Sequence, residues 1–286
     1  MNHTEHLPRA ATQNQLAALG PHFAIHTHLA GTAPAVAHGD SRPASAVPWR
    51  TLTGLRHDPG LLRGRLDATR TLLAAAGGRS PEDLEPLVVA SSAHLGLVAR
   101  LTAPLLALAA LHGQVPSAAP DNTWWQPQLG AAFPLSVPVE DDARAVTASA
   151  DAARADPLAD RLAAVVLDGF ARFLTDVLVP HGLIAAIARG NTASAIHAAS
   201  AALTAARPHA AHHIRALTRR VLAHPRLRDA HNDSPGPDFQ RRTCCLIHRA
   251  APAHGRPSAA LLCADCPLTG SQDHTFTPCR PDEYDQ

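Results

Sequence analysis

The sequence predicts a mainly α-helical protein, and three observations support this class. Alanine and leucine dominate long stretches of the 286 residues, and both have high intrinsic helix propensity. Several of these stretches repeat apolar residues at helical spacing and end at glycine or proline. Ser80, Pro81, Glu82 and Asp83 form a typical helix start, with a cap, a first-turn proline and acidic residues beside the helix dipole.

The predicted elements begin with a poorly patterned region. Residues 1–60 are rich in proline, glycine, histidine and threonine without a sustained period, so we expect a loosely structured start with short elements. Helical spacing predicts a helix over 61–77 that ends at two glycines, and a second helix that begins at Ser80. One small strand-like or irregular region is expected between residues 123 and 140.

Three further helices are expected in the second half of the chain. One covers 156–179 and ends at Pro180, another begins at Gly190, and the last covers 208–227. A turn-rich linker follows. These elements divide the chain into three regions, namely an N-terminal region (1–60), a helical body (61–235) and a C-terminal segment (236–286) that contains every cysteine.

Composition and charge argue against several functional classes. The formal net charge is +1 and no polybasic block occurs, so we expect no nucleic-acid partner. The first twenty residues lack the basic start and apolar core of a signal peptide. The apolar stretch 86–113 is interrupted by polar residues, which favours a buried core helix over a membrane span. We therefore expect a cytoplasmic protein with at most peripheral membrane association.

The cysteines point to a metal centre. Five occur in the chain, all after residue 243: Cys244, Cys245, Cys263, Cys266 and Cys279. The Cys263-x-x-Cys266 pair is a standard chelating loop, whereas joint ligation by adjacent Cys244 and Cys245 requires a bend in the backbone. Four thiolates suit an iron–sulfur cluster and a structural zinc equally well, and the spacing does not decide between them. A disulfide is disfavoured in a reducing cytoplasm.

The cysteine segment resembles the C-terminal signature of the FhuF-type ferric iron reductases, which are (2Fe-2S)-binding siderophore-iron reductases. That signature is an arginine-led Cys-Cys followed by leucine and a basic residue, then a spacer, then Cys-x-x-Cys-Pro-Leu. Here it reads RRTCCLIHR over 241–249 and CADCPL over 263–268. The run GNTASA at 190–195 belongs to the same resemblance, and the stretch 90–125 matches more loosely.

The resemblance implies a [2Fe-2S] cluster held by Cys244, Cys245, Cys263 and Cys266. The cluster would pass an electron from a cellular donor to iron held in a hydroxamate-like ferric siderophore, and reduction would release the iron. The chain lacks a nucleotide or flavin fingerprint, so the donor is expected to be a protein, ferredoxin-like or flavin-reductase-like. The 17-residue spacer between Cys245 and Cys263 is longer than is usual in the family, and Ile247 replaces a customary aromatic residue.

Three residues near the thiolates are candidates for tuning the cluster. Arg242 and Arg249 would offset the negative charge of a reduced cluster, although solvated surface charge is an equally good interpretation. His248 would tune the potential or carry a proton. Cys279 lies outside the signature and is interpreted as an unliganded tail residue.

Other residues have a structural and a functional interpretation. Trp124 and Trp125 are interpreted as core anchors, with siderophore contact as the alternative. Asn191, with Thr192, is interpreted as a helix N-cap, again with siderophore contact as the alternative. The histidines of HAAHH (209–213) are interpreted as surface residues rather than metal ligands.

Two further functions remain open at this point. In the first, the four cysteines hold a structural zinc, and the helical body binds a siderophore or a partner without redox chemistry. In the second, the protein is an electron carrier whose acceptor is another protein.

Overall fold

A mainly α-helical fold is present, as the sequence predicted. The computed structural model describes residues 9–34, 47–128, 132–139, 155–232, 238–251 and 262–269. The α-helices in these residues are α1 (Arg9–Ala17), α2 (Gly54–His57), α3 (Pro59–Gly77), α4 (Pro86–His112), α5 (Ala155–Ala163), α6 (Arg172–Leu178), α7 (Ala185–Ala206) and α8 (Ala211–Leu222).

Helix α4 forms the centre of the core. It packs most extensively against α7, and it also contacts α3, α5, α6 and α8. By length and composition α4 is apolar enough to cross a membrane, but 78% of its most apolar window is buried inside the protein. This burial is what the sequence predicted for the stretch 86–113.

Between α5 and α6 the helix continues as an unpredicted π-helical stretch, Ala164–Ala171. Apart from this change in helical type, the predicted helix over 156–179 is confirmed. Stretches of π-helix are rare and are often found at functional sites. The stretch packs against both α4 and α7.

A small sheet lies beside α4. Its strands are β1 (His26–Leu29), β2 (Arg50–Thr51), β3 (Trp124–Trp125) and β4 (Leu135–Val139). The spatial order is β1-β4-β3-β2, with β1 parallel to β4 and the other pairs antiparallel. The buried Arg100 of α4 joins the sheet region to the helices by donating to the carbonyls of Phe133 (2.9 Å) and Ala24 (2.6 Å).

Three sequence-based predictions differ from the structure. A strand region was expected only between residues 123 and 140, but β1 and β2, two of the short elements in residues 1–60, belong to the same sheet as β3 and β4. The predicted helix start at Ser80 is instead a 3₁₀ turn (Pro81–Asp83), and α4 begins at Pro86. Helix α7 begins at Ala185, five residues before Gly190, so the N-cap interpretation of Asn191 and Thr192 is wrong.

Candidate metal centre

The four predicted ligand cysteines lie together although they come from two separate segments. The first is the Cys-Cys segment (241–251), and the second is the Cys-x-x-Cys segment (262–269). The sulfurs of Cys245 and Cys263 are 3.4 Å apart, which is far longer than a disulfide bond. Cys244 is within hydrogen-bonding range of Cys245 and of Cys266. The thiols thus form a continuous series of contacts, and all four are free.

The bend that adjacent ligand cysteines require is present. Leu246, directly after Cys245, has a φ of 65°, the only positive φ of a non-glycine residue in the described chain. A leucine in this left-handed region is strained, by about 1–3 kcal/mol. The turn directs the backbone N–H of Leu246 to the sulfur of Cys244 at 3.3 Å, and a 3₁₀ turn, Ile247–Ala250, follows.

Backbone N–H groups at this centre favour negative sulfur. Contact with the Cys244 thiol lowers the pKa of Cys245 and Cys266 most. The backbone N–H groups of Ile247 and Leu268 donate to the same two sulfurs and lower the pKa further, as the N–H of Leu246 does for Cys244. The contacts with Cys245 and Cys266 raise the pKa of Cys244 itself. The thiols are therefore inequivalent.

Arg241 supplies a buried positive charge beside the sulfurs. Its side chain is fully buried, and its Nη2 donates to Asp265 Oδ1 at 3.1 Å. Burial alone would lower the pKa of Arg241, but the negative charge of Cys245 and Asp265 outweighs burial and raises it. Because Asp265 lies between Cys263 and Cys266, this ion pair joins the two cysteine segments. A backbone bond from Arg241 N to Asp265 O (3.2 Å) joins them again.

Asn191 and Ser91 connect the centre to the helical body. Asn191 Oδ1 accepts from Arg241 Nη1 at 3.2 Å, and its Nδ2 donates to the Ser91 carbonyl at 3.1 Å. The Ser91 hydroxyl donates in turn to the carbonyl of Cys245 at 2.8 Å. Helices α4 and α7 therefore each supply one polar side chain to the site. Asn191 acts in the interior of a helix, where it supports Arg241.

Two glycines allow the Cys-Cys segment to approach the helices closely. A Cβ at Gly190 of α7 would lie 2.1 Å from Thr243 Oγ1, and a Cβ at Gly77 of α3 would lie 1.9 Å from the Ala250 carbonyl oxygen. Both distances are shorter than non-bonded atoms can approach, so a side chain at either position would displace the Cys-Cys segment. The glycine of the Gly-Asn run is therefore explained by packing, and its asparagine is explained by hydrogen bonding to Arg241.

The predicted tuning residues occupy different environments. His248 is half-buried, with Nδ1 3.5 Å from Cys244 Sγ, and burial followed by the charge of Arg249 lowers its pKa. Arg249 pairs with Glu85 at 3.2 Å. Arg242 is exposed. Its neighbour Arg241, which the sequence analysis did not single out, is the arginine that is buried beside the sulfurs.

The predicted tryptophans lie in the sheet. Trp125 is fully buried and packs edge-on against Phe133 at a centroid distance of 5.2 Å, which confirms its interpretation as a core anchor. Trp124 is half-buried. The sheet contacts α4 at Arg100, nine residues or about 14 Å along the helix from Ser91. The structure thus does not bring the tryptophans into the polar network around the cysteines.

The sequence analysis did not identify three polar residues of the site, namely Arg241, Asp265 and Ser91. Each lies in a motif that the sequence analysis quoted, but burial of a charged side chain has no signal in a single sequence. One indication was available for Asp265, because an acidic residue between two metal-ligating cysteines calls for a nearby positive charge. The HAAHH histidines 209, 212 and 213 are exposed, as predicted. Cys279 and residues 252–261 of the long spacer lie outside the described residues.

The side chains present fit a thiolate-held metal centre. The four thiols form a continuous series of contacts, and backbone N–H groups and a guanidinium compensate negative sulfur. Within the described residues the buried Nε of Arg241 has no hydrogen-bond partner, so this donor is available to an anionic group. No described group of three or more histidine, cysteine or acidic side chains is arranged to hold a single metal ion.

Comparisons with known proteins provide no relatives for this chain. No family model, no curated protein and no solved structure matches it.

Proposed function

We propose that the protein is a cytoplasmic (2Fe-2S)-binding ferric-siderophore reductase. The observation that carries the proposal is the meeting of the four thiols of Cys244, Cys245, Cys263 and Cys266 beside one buried arginine. The resemblance of the two cysteine segments to the signature of the FhuF-type reductases supports the choice of cluster and substrate.

The four cysteines would hold the cluster. When bound, a [2Fe-2S] cluster supplies a one-electron carrier, taking one electron from a ferredoxin-like or flavin-reductase-like protein and giving it to chelated Fe(III), which becomes Fe(II). Hydroxamate-type chelators hold Fe(II) far more weakly than Fe(III), so the reduced iron is released. Fe(III) is the substrate here, and its ligand shell is the part that the protein must recognise.

The chain's own residues hold and balance the thiolates. Arg241 places a permanent positive charge beside the sulfurs, which favours the more negative, reduced state of the centre. The N–H groups of Leu246, Ile247 and Leu268 act in the same direction. Ser91 and Asn191 fix the Cys-Cys segment against α4 and α7, so that its ligands are positioned before metal binds.

The first test is the identity of the metal. Protein purified without oxygen is analysed for iron, sulfide and zinc, and its visible spectrum is recorded before and after dithionite. We expect two irons and two sulfides per chain, with absorbance that bleaches on reduction and then recovers when a ferric trihydroxamate is added. Cys244→Ser and Cys266→Ser should abolish the absorbance.

Cys279→Ser is the matched control, since it removes a thiol that lies outside the four-cysteine set. It should leave the spectrum and the iron content unchanged. The protein could instead be colourless with one zinc per chain, and stay colourless after reconstitution with iron and sulfide. That result would contradict the reductase proposal and favour a zinc-stabilised binding module. A reduced cluster that ferric chelates fail to oxidise would indicate an electron carrier to a protein acceptor.

A further inference from the structure

A cavity beside the cysteine segment is separate from the thiol site. It has a volume of about 580 Å³ and lies between the π-helical stretch, helix α6, the start of α7 and the turn after α8. Ligand-binding cavities commonly fall between about 300 and 1,000 Å³. Its polar lining consists mainly of Arg172, Arg189, Arg226, Asp176, Asp229 and Thr192.

Residues next to the wall of this cavity contact the Cys-Cys segment at two points. The backbone N–H of Arg242 donates to the carbonyl of Ala230 at 2.9 Å, and Asp229, one residue earlier, lines the cavity. Thr243 donates to the carbonyl of Ala186 at 3.3 Å, next to the lining residue Ala185.

These contacts place the cavity close to the thiols. Cys244 follows Thr243 directly, about 3.8 Å away between Cα atoms. In helix α7, the lining residue Thr192 directly follows Asn191, which is hydrogen-bonded to Arg241. An occupant of the cavity would therefore lie next to residues that contact the segment carrying Cys244.

The lining carries three arginines and two aspartates, and the arginine N–H groups can donate to an oxygen-rich ligand. Of the three arginines, Arg226 is paired with Asp168, while Asp176 is paired with Arg56 at 3.7 Å. Arg189 is exposed and is not paired with any acidic residue in the described part of the chain. A guanidinium carries five N–H donors in a planar fork, which suits the oxygen atoms that surround chelated Fe(III).

We propose that this cavity is the docking site of the substrate, a ferric trihydroxamate chelate, with Arg189 donating to its oxygen atoms. The inference rests on the proposed function, because it names where that function's substrate binds. An electron from the reduced centre would convert the docked Fe(III) to Fe(II), and the protein donor would then restore the reduced centre.

The test uses the gallium(III) complex of desferrichrome. Gallium(III) resembles Fe(III) in size and charge but is not reduced, so its binding is independent of electron transfer. We expect the wild-type protein to bind the complex, and we expect Arg189→Glu and Ala185→Trp to raise the Kd at least tenfold. The first substitution reverses the donor's charge, and the second fills the cavity from an exposed helix position.

Matched controls come from exposed positions away from the cavity. Arg219→Glu on α8 makes the same change of net charge, and Ala201→Trp adds the same ring to α7. Both should keep the wild-type Kd. All four variants should keep the wild-type helical circular dichroism and the wild-type metal content.

The outcomes separate this inference from the proposed function. If the complex fails to bind the wild-type protein, or binds the two cavity variants with unchanged Kd, the cavity is not the chelate site, even where reductase activity is found. If the cavity variants weaken binding but the protein contains no iron, the docking site is supported and the proposed reductase function is contradicted. If the cavity variants slow reduction by a protein donor while gallium binding is unchanged, the surface belongs to the donor, and the inference is overturned.

Discussion

His94 is a buried histidine in the core helix. Its side chain has no exposed surface, and neither ring nitrogen makes a hydrogen bond of normal geometry. Burial lowers its pKa from 6.5 to about 4, and the nearby carbonyl of Ala171 opposes this change only weakly. His94 is therefore neutral in the folded protein at neutral pH. In the unfolded chain the same ring takes up a proton near pH 6.5.

This difference makes the protein sensitive to acid. Because the unfolded chain binds the proton first, stability is lost as the pH falls from about 6.5 towards 4. Between pH 7 and pH 5 the contribution of His94 is about 2 kcal/mol. We expect His94→Gln to lose that much less stability over this interval than the wild-type protein, as measured by urea unfolding at both pH values.

His213→Gln provides the control, because it removes an exposed histidine of α8. It should show the wild-type pH dependence. An unchanged pH dependence in His94→Gln would mean that the buried ring does not titrate differently in the folded and unfolded states.

Two adjacent arginines at the site show that tertiary contacts decide which side chain is buried. Arg241 and Arg242 are adjacent and chemically identical, yet Arg241 is 1% exposed and Arg242 lies at the surface. The sequence analysis chose Arg242 and Arg249 because both are close to the cysteines along the chain. Which of the two neighbours is buried depends on Asp265 and Asn191, which are distant in sequence, and no local pattern encodes that choice.

At the scale of elements, the 3₁₀ turn that follows the cysteines, Ile247–Ala250, depends on a glycine at the end of α3. The Ala250 carbonyl, at the end of the turn that follows the cysteines, occupies the space in which a Gly77 side chain would lie. The guanidinium of Arg79, two residues after the end of α3, donates to the carbonyl of Arg249 at 2.9 Å and holds this turn against the end of the helix.

Gly77→Ala should therefore destabilise the protein. Alanine favours a helix over glycine by about 1 kcal/mol, but a Cβ here displaces backbone atoms, at a typical cost of about 1–3 kcal/mol. We expect a lower urea midpoint and a lower metal content, because the displaced turn directly follows Cys244 and Cys245.

Gly64→Ala is the comparison within the same helix. No atom lies within 4 Å of a Cβ at that position, so the helix preference alone should act and raise stability. Equal stabilisation by both substitutions would show that the turn moves away from α3 freely.

Element prediction succeeded where periodicity was strong and failed where tertiary contacts decide. Helix α3 and the long helix ending near Pro180 follow their apolar spacing. The start of α7 was misplaced because Gly190 and Asn191 are typical of a helix terminus. Here they serve contacts with Thr243 and Arg241 from a segment some fifty residues away. Strands β1 and β2 are short, and their pairing partners lie outside any local sequence window.

For the whole molecule, the site is an interface between the helical body and two C-terminal segments. Four cysteines with chelating spacing were predictable from the sequence alone, because ligand chemistry constrains residue type. The polar network that joins them to α4 and α7 was not, because it consists of contacts between residues 24 to 154 positions apart in the chain. Arg241 contacts both the Cys-x-x-Cys segment, through Asp265, and helix α7, through Asn191.

Removal of Arg241 should therefore weaken the contacts among the helical body and the two cysteine segments. Arg241→Gln leaves the Asp265 carboxylate, which is 12% exposed, without its ionic partner. Breaking a buried ion pair in this way typically costs about 3–5 kcal/mol. We expect a loss of this size in urea unfolding, together with a lower metal content. Arg241→Lys should restore only part of both, since an ammonium does not reproduce the bidentate reach to Asn191 and Asp265.

Two variants decide whether the charge or the contact network is responsible. Adding Asp265→Asn to Arg241→Gln removes the stranded carboxylate, so the double variant should be more stable than Arg241→Gln alone. Arg242→Gln makes the same chemical change at the exposed neighbour and should alter stability by no more than about 0.5 kcal/mol. If Arg242→Gln is as damaging as Arg241→Gln, positive charge near the cysteines matters irrespective of burial. In that case the buried pair does not join the segments to the helical body.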